Sequence, residues 1–543
     1  MPNSTNQAPL HNGFNVFSED SVLQTLAKDL PQSVVTDLTK LGQWAGSPEA
    51  LDLARLANEH PPVLRTHDGR GERLDVVEFH PAYHALMRRA VSNGIHCSTW
   101  DETPQEKGNR NLIRCMRAMM TYGLEAGHMC PITMTNAALA VFMTDPDLLR
   151  DWMPKIVSRQ YDSSQKSPGT KTGLTIGMGM TERQGGSDVR ANTTSAERLG
   201  EGSNSGMWRI NGAKWFFSAP MCDAFFILAQ AEQGLSCFLV PRLLPDGTNN
   251  GLRFQRLKNK LGNRSNASSE VEFDNAIATL VGEEGAGIRT ILEMVTLTRL
   301  DCAAGSAGLM RAAFSEAVHH VRHRSAFGKT LIDHPLMERV LADMALDVAA
   351  AQVLSLRLAR SFDAAHGNSV EAGYARIMTP VIKYWVCKIA PSLTHEAMEC
   401  VGGNGYVEDS VLPRLHREAP LNAIWEGAGN IMCLDVLRAI RKGPQMVNAV
   451  LETIAADMGG STGQTMDVLR IAADVALNDE GSARIFTEQL ALTAAAAELR
   501  RTMPQEIADA FVESRLGRPW RHTYGMMDSR YNARAIVDFL CAA

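Results

Sequence analysis

Apolar positions over the first 160 residues recur at helical spacing, in segments such as Glu72–Asn93 and Asn109–Gly127 with polar breaks between them, and this spacing predicts helices. The stretch Asp162–Gly173 is polar, with one Pro and two Gly, and reads as a linker or exposed loop before a new domain. From Leu174 to Gly282 the pattern changes. Trp208–Phe217 carries Asn211-Gly212 between two strand-like runs, the signature of a tight hairpin. Ala224–Gln230 and Leu235–Val240 form a second apolar pair around Gln233-Gly234, and Glu270–Phe273 alternates as a short half-buried strand would. Helical periodicity resumes at Gly287, where Leu341, Met344, Val348, Ala351 and Leu358 mark one buried stripe. Long antiparallel helices in a four-helix bundle are expected there. Met458–Gln464 interrupts a further helical stretch. The expected fold is therefore α+β and multidomain, mainly α. It comprises an N-terminal helical domain (1–173), a middle β domain (174–284), a helical bundle domain (285–442) and an extra C-terminal helical domain (443–543).

A length of 543 residues exceeds what one hydrophobic core organises, which agrees with several domains. Hydrophobic residues at 45% and charged residues at 21% are ordinary for a globular chain. The net charge of −6 gives no global attraction to nucleic acid or an acidic membrane, so any basic surface must be local. The ten cysteines are scattered without Cys-x-x-Cys or Cys/His spacing; neither a disulfide framework nor a metal centre is expected, and thiols kept reduced in a cytoplasm fit better. No apolar run has the length of a membrane span, so a membrane is not an expected partner.

Two segments of the β region carry candidate chemistry. Thr181-Glu-Arg-Gln-Gly-Gly-Ser-Asp188 follows the strand-like Leu174–Met180; its glycines allow close approach of a ligand, and Ser187 offers a hydroxyl and an amide to a phosphate. Lys214-Trp-Phe-Phe-Ser218 sets aromatic rings beside a hydroxyl, a combination suited to a flat heteroaromatic cofactor or, equally, to the core side of a strand.

Together these segments resemble the FAD-binding loop and strand of the acyl-CoA dehydrogenase superfamily. Arg183 and Gln184 depart from the usual Pro and Gly of that loop, Phe216 stands where the family often has Trp, and Ser218 where it has Thr. Further resemblances follow in the family's order. Arg322-His-Arg-Ser-Ala-Phe-Gly-Lys329 resembles the segment whose Arg, here Arg324, reaches the FAD pyrophosphate of a neighbouring subunit, with Phe327 beside it. Glu399-Cys-Val-Gly-Gly-Asn-Gly-Tyr406 resembles a glycine loop against the partner's FAD, through Gly402 and Gly403, although Glu399 replaces the usual Gln. Ile424–Arg438 resembles the segment that holds the catalytic base, which places that role on Glu426. Thr298 occupies the position where other members carry the base, and it is not an acid. The resemblance implies FAD as cofactor, held by Met180, Thr181, Gly186, Ser187, Phe216, Phe217, Ser218, Arg324, Phe327, Gly402, Gly403, Trp425, Gly427 and Asn430. Read without it, Glu426 is also placed to cap the helix that starts near Gly429.

The strings Gly177–Glu182, Lys258–Ala267 and Trp425–Arg438 resemble the AidB-type branch of that superfamily, the flavoproteins of the bacterial response to DNA alkylation. That branch implies a homotetramer, weak isovaleryl-CoA-type dehydrogenase activity and a C-terminal domain that binds double-stranded DNA. Residues 451–543 contain nine Arg and no Lys against thirteen acids, so the domain is not basic as a whole. Local arginines remain, among them Arg500, Arg501, Arg515, Arg518, Arg521, Arg530 and Arg534, with Arg438 at the end of the preceding helix. Arg438, Arg518 and Arg521 are the DNA candidates, and solvated helical faces are the other reading of the same residues. The alternative function is a working acyl-CoA dehydrogenase or oxidase without DNA binding.

Overall fold

The computed structural model describes residues 6–101, 103–200, 206–459, 462–517 and 530–541. It divides into two compact units, residues 52–103 with 125–298, and residues 1–51 with 104–124 and 299–543.

The first unit opens with a separate hairpin, β1 (Val63–His67) with β2 (Arg73–Glu78). Seven strands then build its main sheet: β3 (Ile176–Gly179), β4 (Ser195–Arg198), β5 (Trp208–Ser218), β6 (Ala224–Ala231), β7 (Gly234–Pro241), β8 (Leu252–Leu257) and β9 (Ser268–Val281). The sheet order is β3-β6-β4-β5-β9-β7, with β8 on β9, and β6 also pairs with β7. The path β6-β4-β5-β9-β7 therefore closes on itself, which leaves few unpaired edges. Phe217, Phe225 and Phe238 are fully buried on its inner face, while Phe226, next to Phe225 on β6, faces the other way and packs on Phe142 at 5.0 Å.

Three sequence expectations change here. Asn211-Gly212 is not a hairpin turn, because β5 runs straight through it. Trp208–Ile210 pairs with Ala276–Ala278, and Gly212–Lys214 pairs with Val271–Phe273 of the same strand β9. The register slips between the two stretches, so the pair marks an irregularity rather than a reversal. Gly212 has φ +148, and a Cβ there would lie 2.7 Å from the Thr194 Cα; glycine is needed for close backbone approach. The segment Glu72–Asn93 is also only partly helical. Residues 73–78 form β2, paired with β1 by Val76 and Val77, and the helix begins at Pro81, with the His80 side chain capping its first turn. The polar stretch Asp162–Gly173 is anchored rather than simply exposed, since Lys171 is buried and its Nζ lies 2.7 Å from Asp223 Oδ1.

The second unit is helical. Its longest members are Pro335–Ala364 and Ser369–Val401, joined by the C-terminal part of Gly287–His323, by Gly429–Lys442 and by Ala483–Thr502. The stripe expected on Pro335–Ala364 is buried, but every residue from Leu341 to Leu356 is buried with it. The helix is central: Arg110–Leu124, Ser369–Val401, Ala483–Thr502 and Ala533–Leu540 all pack on it, so no face meets water. Asp343 and Asp347 on this helix receive the guanidinium of Arg515 at 2.6 and 2.7 Å. All ten cysteines are buried thiols, none of them in a disulfide. Among the described residues no helix is long and apolar enough to cross a membrane, and no cluster of three His, Cys, Asp or Glu could hold a metal.

Candidate functional site

In the β unit the loop after β3 is fixed from beneath. Glu182 is buried and accepts hydrogen bonds from Lys214 Nζ (2.8 Å), the Thr193 amide (2.7 Å) and the Thr194 hydroxyl (2.6 Å). Burial alone would raise its pKa, but these donors outweigh burial and hold the carboxyl at about 2. Lys214 is itself buried and also donates to the Leu228 carbonyl at 2.8 Å, while the Trp215 amide donates to the Thr181 carbonyl at 2.8 Å. The close approach at Gly212 is what brings the Thr194 donors within reach of this carboxylate.

The predicted cofactor residues in this unit lie around that anchor. Met180 and Thr181 are half-buried, whereas Gly186 and Ser187 are exposed. A Cβ on Gly186 would come 2.5 Å from the Thr181 hydroxyl, so the loop folds tightly over Thr181. Phe216 is 50% exposed and Ser218 half-buried, side by side at the end of β5. Phe217 differs: its ring is fully buried and packs on Phe225 (4.3 Å between centroids) and Phe273 (5.9 Å), because it lies on the core side of the strand. It can offer a ligand only its backbone. The arrangement provides an exposed ring, a hydroxyl and an exposed Gly186–Ser187 turn, a set that fits an isoalloxazine and its phosphates.

In the helical unit Glu426 sits half-buried in the turn before Gly429–Lys442, with φ +57. A left-handed glutamate is strained by about 1–3 kcal/mol and persists only where its surroundings impose it. Here they do. Lys383 Nζ donates to the carbonyls of Trp425 (2.9 Å) and Gly427 (2.6 Å), and Arg299 Nε donates to the carbonyl of Glu426 (3.0 Å). Three consecutive carbonyls are thus held by two buried cations, and Arg299 is held in turn by Asp435 at 2.8 Å. Gly427 has φ +100, and a Cβ there would lie 2.5 Å from Met432 Cε, so glycine suits both its conformation and its space. Trp425 Nε1 donates to Asn422 (2.9 Å), which donates to Ser306 (3.1 Å). The helix cap is Ala428, with no side-chain hydrogen bond, so Glu426 does not serve as the N-cap.

Sequence reasoning missed Lys383 and Arg299. The available signal was a single Lys inside the apolar run Val381-Ile-Lys-Tyr-Trp-Val386, which a buried helix carries only with partners. Asn430 is exposed, and its Oδ1 accepts from Arg484 Nε at 2.9 Å, so its side chain is engaged by the C-terminal helices. Arg324 is half-buried, Phe327 is 97% exposed at φ +51, and Gly402 and Gly403 have no atom within 4 Å of an added Cβ. An open glycine pair and an arginine fork fit a diphosphate.

The expected arginine cluster is mostly committed elsewhere. Arg515 is half-buried against Asp343 and Asp347, Arg501 pairs with Glu498, Arg530 with Glu513 and Arg534 with Asp538, while Arg500 donates to the Met458 carbonyl. Arg518 and Arg521 lie outside the described residues. Arg438, Arg441 and Lys442 are exposed at the end of their helix, and among the described residues they make no ion pair.

Comparison with known proteins agrees with this layout. Residues 6–163 match the model of the adaptive response protein AidB N-terminal domain, residues 177–276 the acyl-CoA dehydrogenase middle domain, and residues 285–441 the acyl-CoA dehydrogenase C-terminal domain. AidB of Escherichia coli (strain K12) is 44% identical over 93% of this chain and 92% of its own length. The chain belongs to the acyl-CoA dehydrogenase family. Within it the chain falls in the AidB branch, and it is an FAD-dependent oxidoreductase. Among solved structures, Caenorhabditis elegans ACDH-11 in complex with C11-CoA superposes with a TM-score of 0.85 at 27% identity, covering 100% of this chain and 98% of that one. The apo-form of Bd2924 gives 0.85 at 28% identity, covering 91% and 99%.

Proposed function

We propose that this flavoprotein oxidises an acyl-CoA thioester, with Glu426 as the base that removes the proton α to the carbonyl. The observation that carries this reading is the strained turn at Glu426, pinned at three carbonyls by Lys383 and Arg299. A merely solvated surface acid needs no such support, whereas a base must be fixed within hydrogen-bond reach of the proton it takes. FAD, when bound, supplies the hydride acceptor for the β-hydrogen. On the β unit, Phe216, Ser218 and the loop from Met180 to Ser187 flank the flavin, and the Glu182–Lys214 pair keeps that loop in place. On the helical unit, Trp425, Gly427 and Asn430 lie beside the base. Arg324, Phe327, Gly402 and Gly403 face the FAD of a neighbouring subunit, which calls for a homo-oligomer, a homotetramer on the family's pattern. The acyl-CoA bound by ACDH-11 supports a thioester as the ligand. Anaerobic addition of isovaleryl-CoA and longer acyl-CoA thioesters to the yellow protein should bleach the flavin band. A protein that retains FAD and is bleached by none of them would contradict this reading.

A second activity, binding of double-stranded DNA in the response to alkylation damage, is favoured by one feature. Arg438, Arg441 and Lys442 form an exposed cationic helix end that makes no ion pair among the described residues. Replacing all three with Gln should weaken binding to every duplex alike and flatten the salt dependence by about 0.9 in log–log slope for each phosphate no longer neutralised. Unchanged affinity at low salt would leave the protein as an enzyme alone.

A further inference from the structure

The residues before the first helix run as an arm across the helical unit. Asn6 has φ +48, a left-handed conformation that asparagine tolerates better than most side chains. That turn aims both its side chain and its carbonyl at one place. Asn6 Nδ2 donates to the Ser325 carbonyl (2.8 Å), the Ser325 amide donates to Asn6 Oδ1 (2.9 Å), and Arg324 Nη1 donates to the Asn6 carbonyl (2.6 Å). The next residue continues the arm to a second loop, where Asn404 Nδ2 donates to Gln7 Oε1 (3.1 Å), beside Gly402 and Gly403. Behind these hydrogen bonds the arm is moored. His319 Nε2 lies 2.9 Å from the Pro9 carbonyl. The His11 ring stacks between Phe14 (4.1 Å) and His319 (4.3 Å), and its Nδ1 lies 3.0 Å from Glu316.

We infer that this arm positions the cofactor-facing loops, with Asn6 as a positioning residue that sets Arg324 and Ser325 for the FAD of a neighbouring subunit. The inference rests on the reading that Arg324 and the Gly402–Gly403 loop receive that cofactor. Its physical basis is preorganisation. A free Arg side chain carries about 2 kcal/mol of rotamer entropy, which binding must otherwise remove. The Asn6 carbonyl occupies one of the five guanidinium N–H groups, so most of the fork stays open to a diphosphate. The two-point clip on Ser325 fixes the backbone that carries it. One short arm thus links the two loops, which lie about 80 residues apart in sequence.

The test is FAD titration of full-length apoprotein in four forms: wild type, Asn6→Ala, Arg324→Ala and the double variant. Asn6→Ala removes two exposed hydrogen bonds and should raise the Kd for FAD roughly three- to tenfold. Asn6→Asp keeps the acceptor for the Ser325 amide and should fall between. In apoprotein, amide exchange at Ser325 should quicken in Asn6→Ala, without loss of helix content. Once Arg324 is gone there is little left to position, so Asn6→Ala should add less than about twofold in that background. An unchanged Kd in Arg324→Ala would overturn the cofactor reading itself. A weakened Arg324→Ala beside a normal Asn6→Ala would overturn the role of the arm alone. So would a full, additive effect of Asn6→Ala in the double variant, which would mark the arm as generally structural.

Discussion

Replacing Lys383 with Met removes the clamp on the Glu426 turn while keeping the length and apolar stem of the side chain. Lys383 is 1% exposed and donates two charge-assisted hydrogen bonds, to Trp425 and Gly427. Each such bond is worth about 1.5–3 kcal/mol, and its loss leaves a carbonyl unpaired. Against this, the variant no longer buries an ammonium, which returns part of the cost. A net destabilisation of about 2–4 kcal/mol is therefore expected, measured by urea unfolding of the holoprotein followed by far-UV circular dichroism. That is comparable to the strain of about 1–3 kcal/mol stored at φ +57 of Glu426, so the turn should relax away from its left-handed conformation. A displacement of about 1 Å at a catalytic group commonly costs on the order of a hundredfold. Anaerobic stopped-flow reduction of the flavin by acyl-CoA should accordingly slow by at least about tenfold, with FAD still bound. A Lys383→Met protein that reduces its flavin at the wild-type rate would show that the clamp serves stability and not the base.

Two other perturbations probe the supports around the site. Glu182 is held at about 2, below its ordinary range, so its contribution to stability is complete above pH 4.5 and is lost as the pH falls towards 2. Glu182→Gln should bind FAD more weakly at pH 7 and lose less β-unit stability across that acid window, as read by near-UV circular dichroism; an acid profile identical to wild type would contradict the anchoring role. Arg515→Met removes the guanidinium shared by Asp343 and Asp347 on a central buried helix and should cost about 3–5 kcal/mol in chemical denaturation, whereas a cost under about 1 kcal/mol would show that the two acids do not depend on it.

The broad order of elements was legible in periodicity, but the sequence could not distinguish patterns that different pairings share. Asn211-Gly212 satisfies a hairpin locally, and only the long-range partner β9 shows that the strand continues through it. Val76 and Val77 fit either a helix face or a strand, and the pairing of β1 with β2 decided for the strand. On Pro335–Ala364 a clear apolar stripe concealed burial on every side, because most of the helices that cover the remainder come from more than a hundred residues away. The proposed site was read from short motifs, as at Glu426 and the loop Thr181–Asp188. It was not legible where support comes from distant single residues, as with Lys383, Arg299 and Asn6. Within the cofactor motifs the sequence could not show which way a side chain points: the Phe217 ring faces the core, and the Asn430 side chain accepts from Arg484.

The most direct test of Glu426 as the base is exchange of the substrate α-proton in Glu426→Gln, a change that preserves volume and hydrogen bonding. With FAD bound, wild-type protein in deuterium oxide should exchange the α-hydrogen of a bound acyl-CoA and reduce its flavin. The variant should keep its FAD and lose both reactions by at least about a hundredfold. Exchange and reduction at wild-type rates in Glu426→Gln would place the base elsewhere and contradict the assignment.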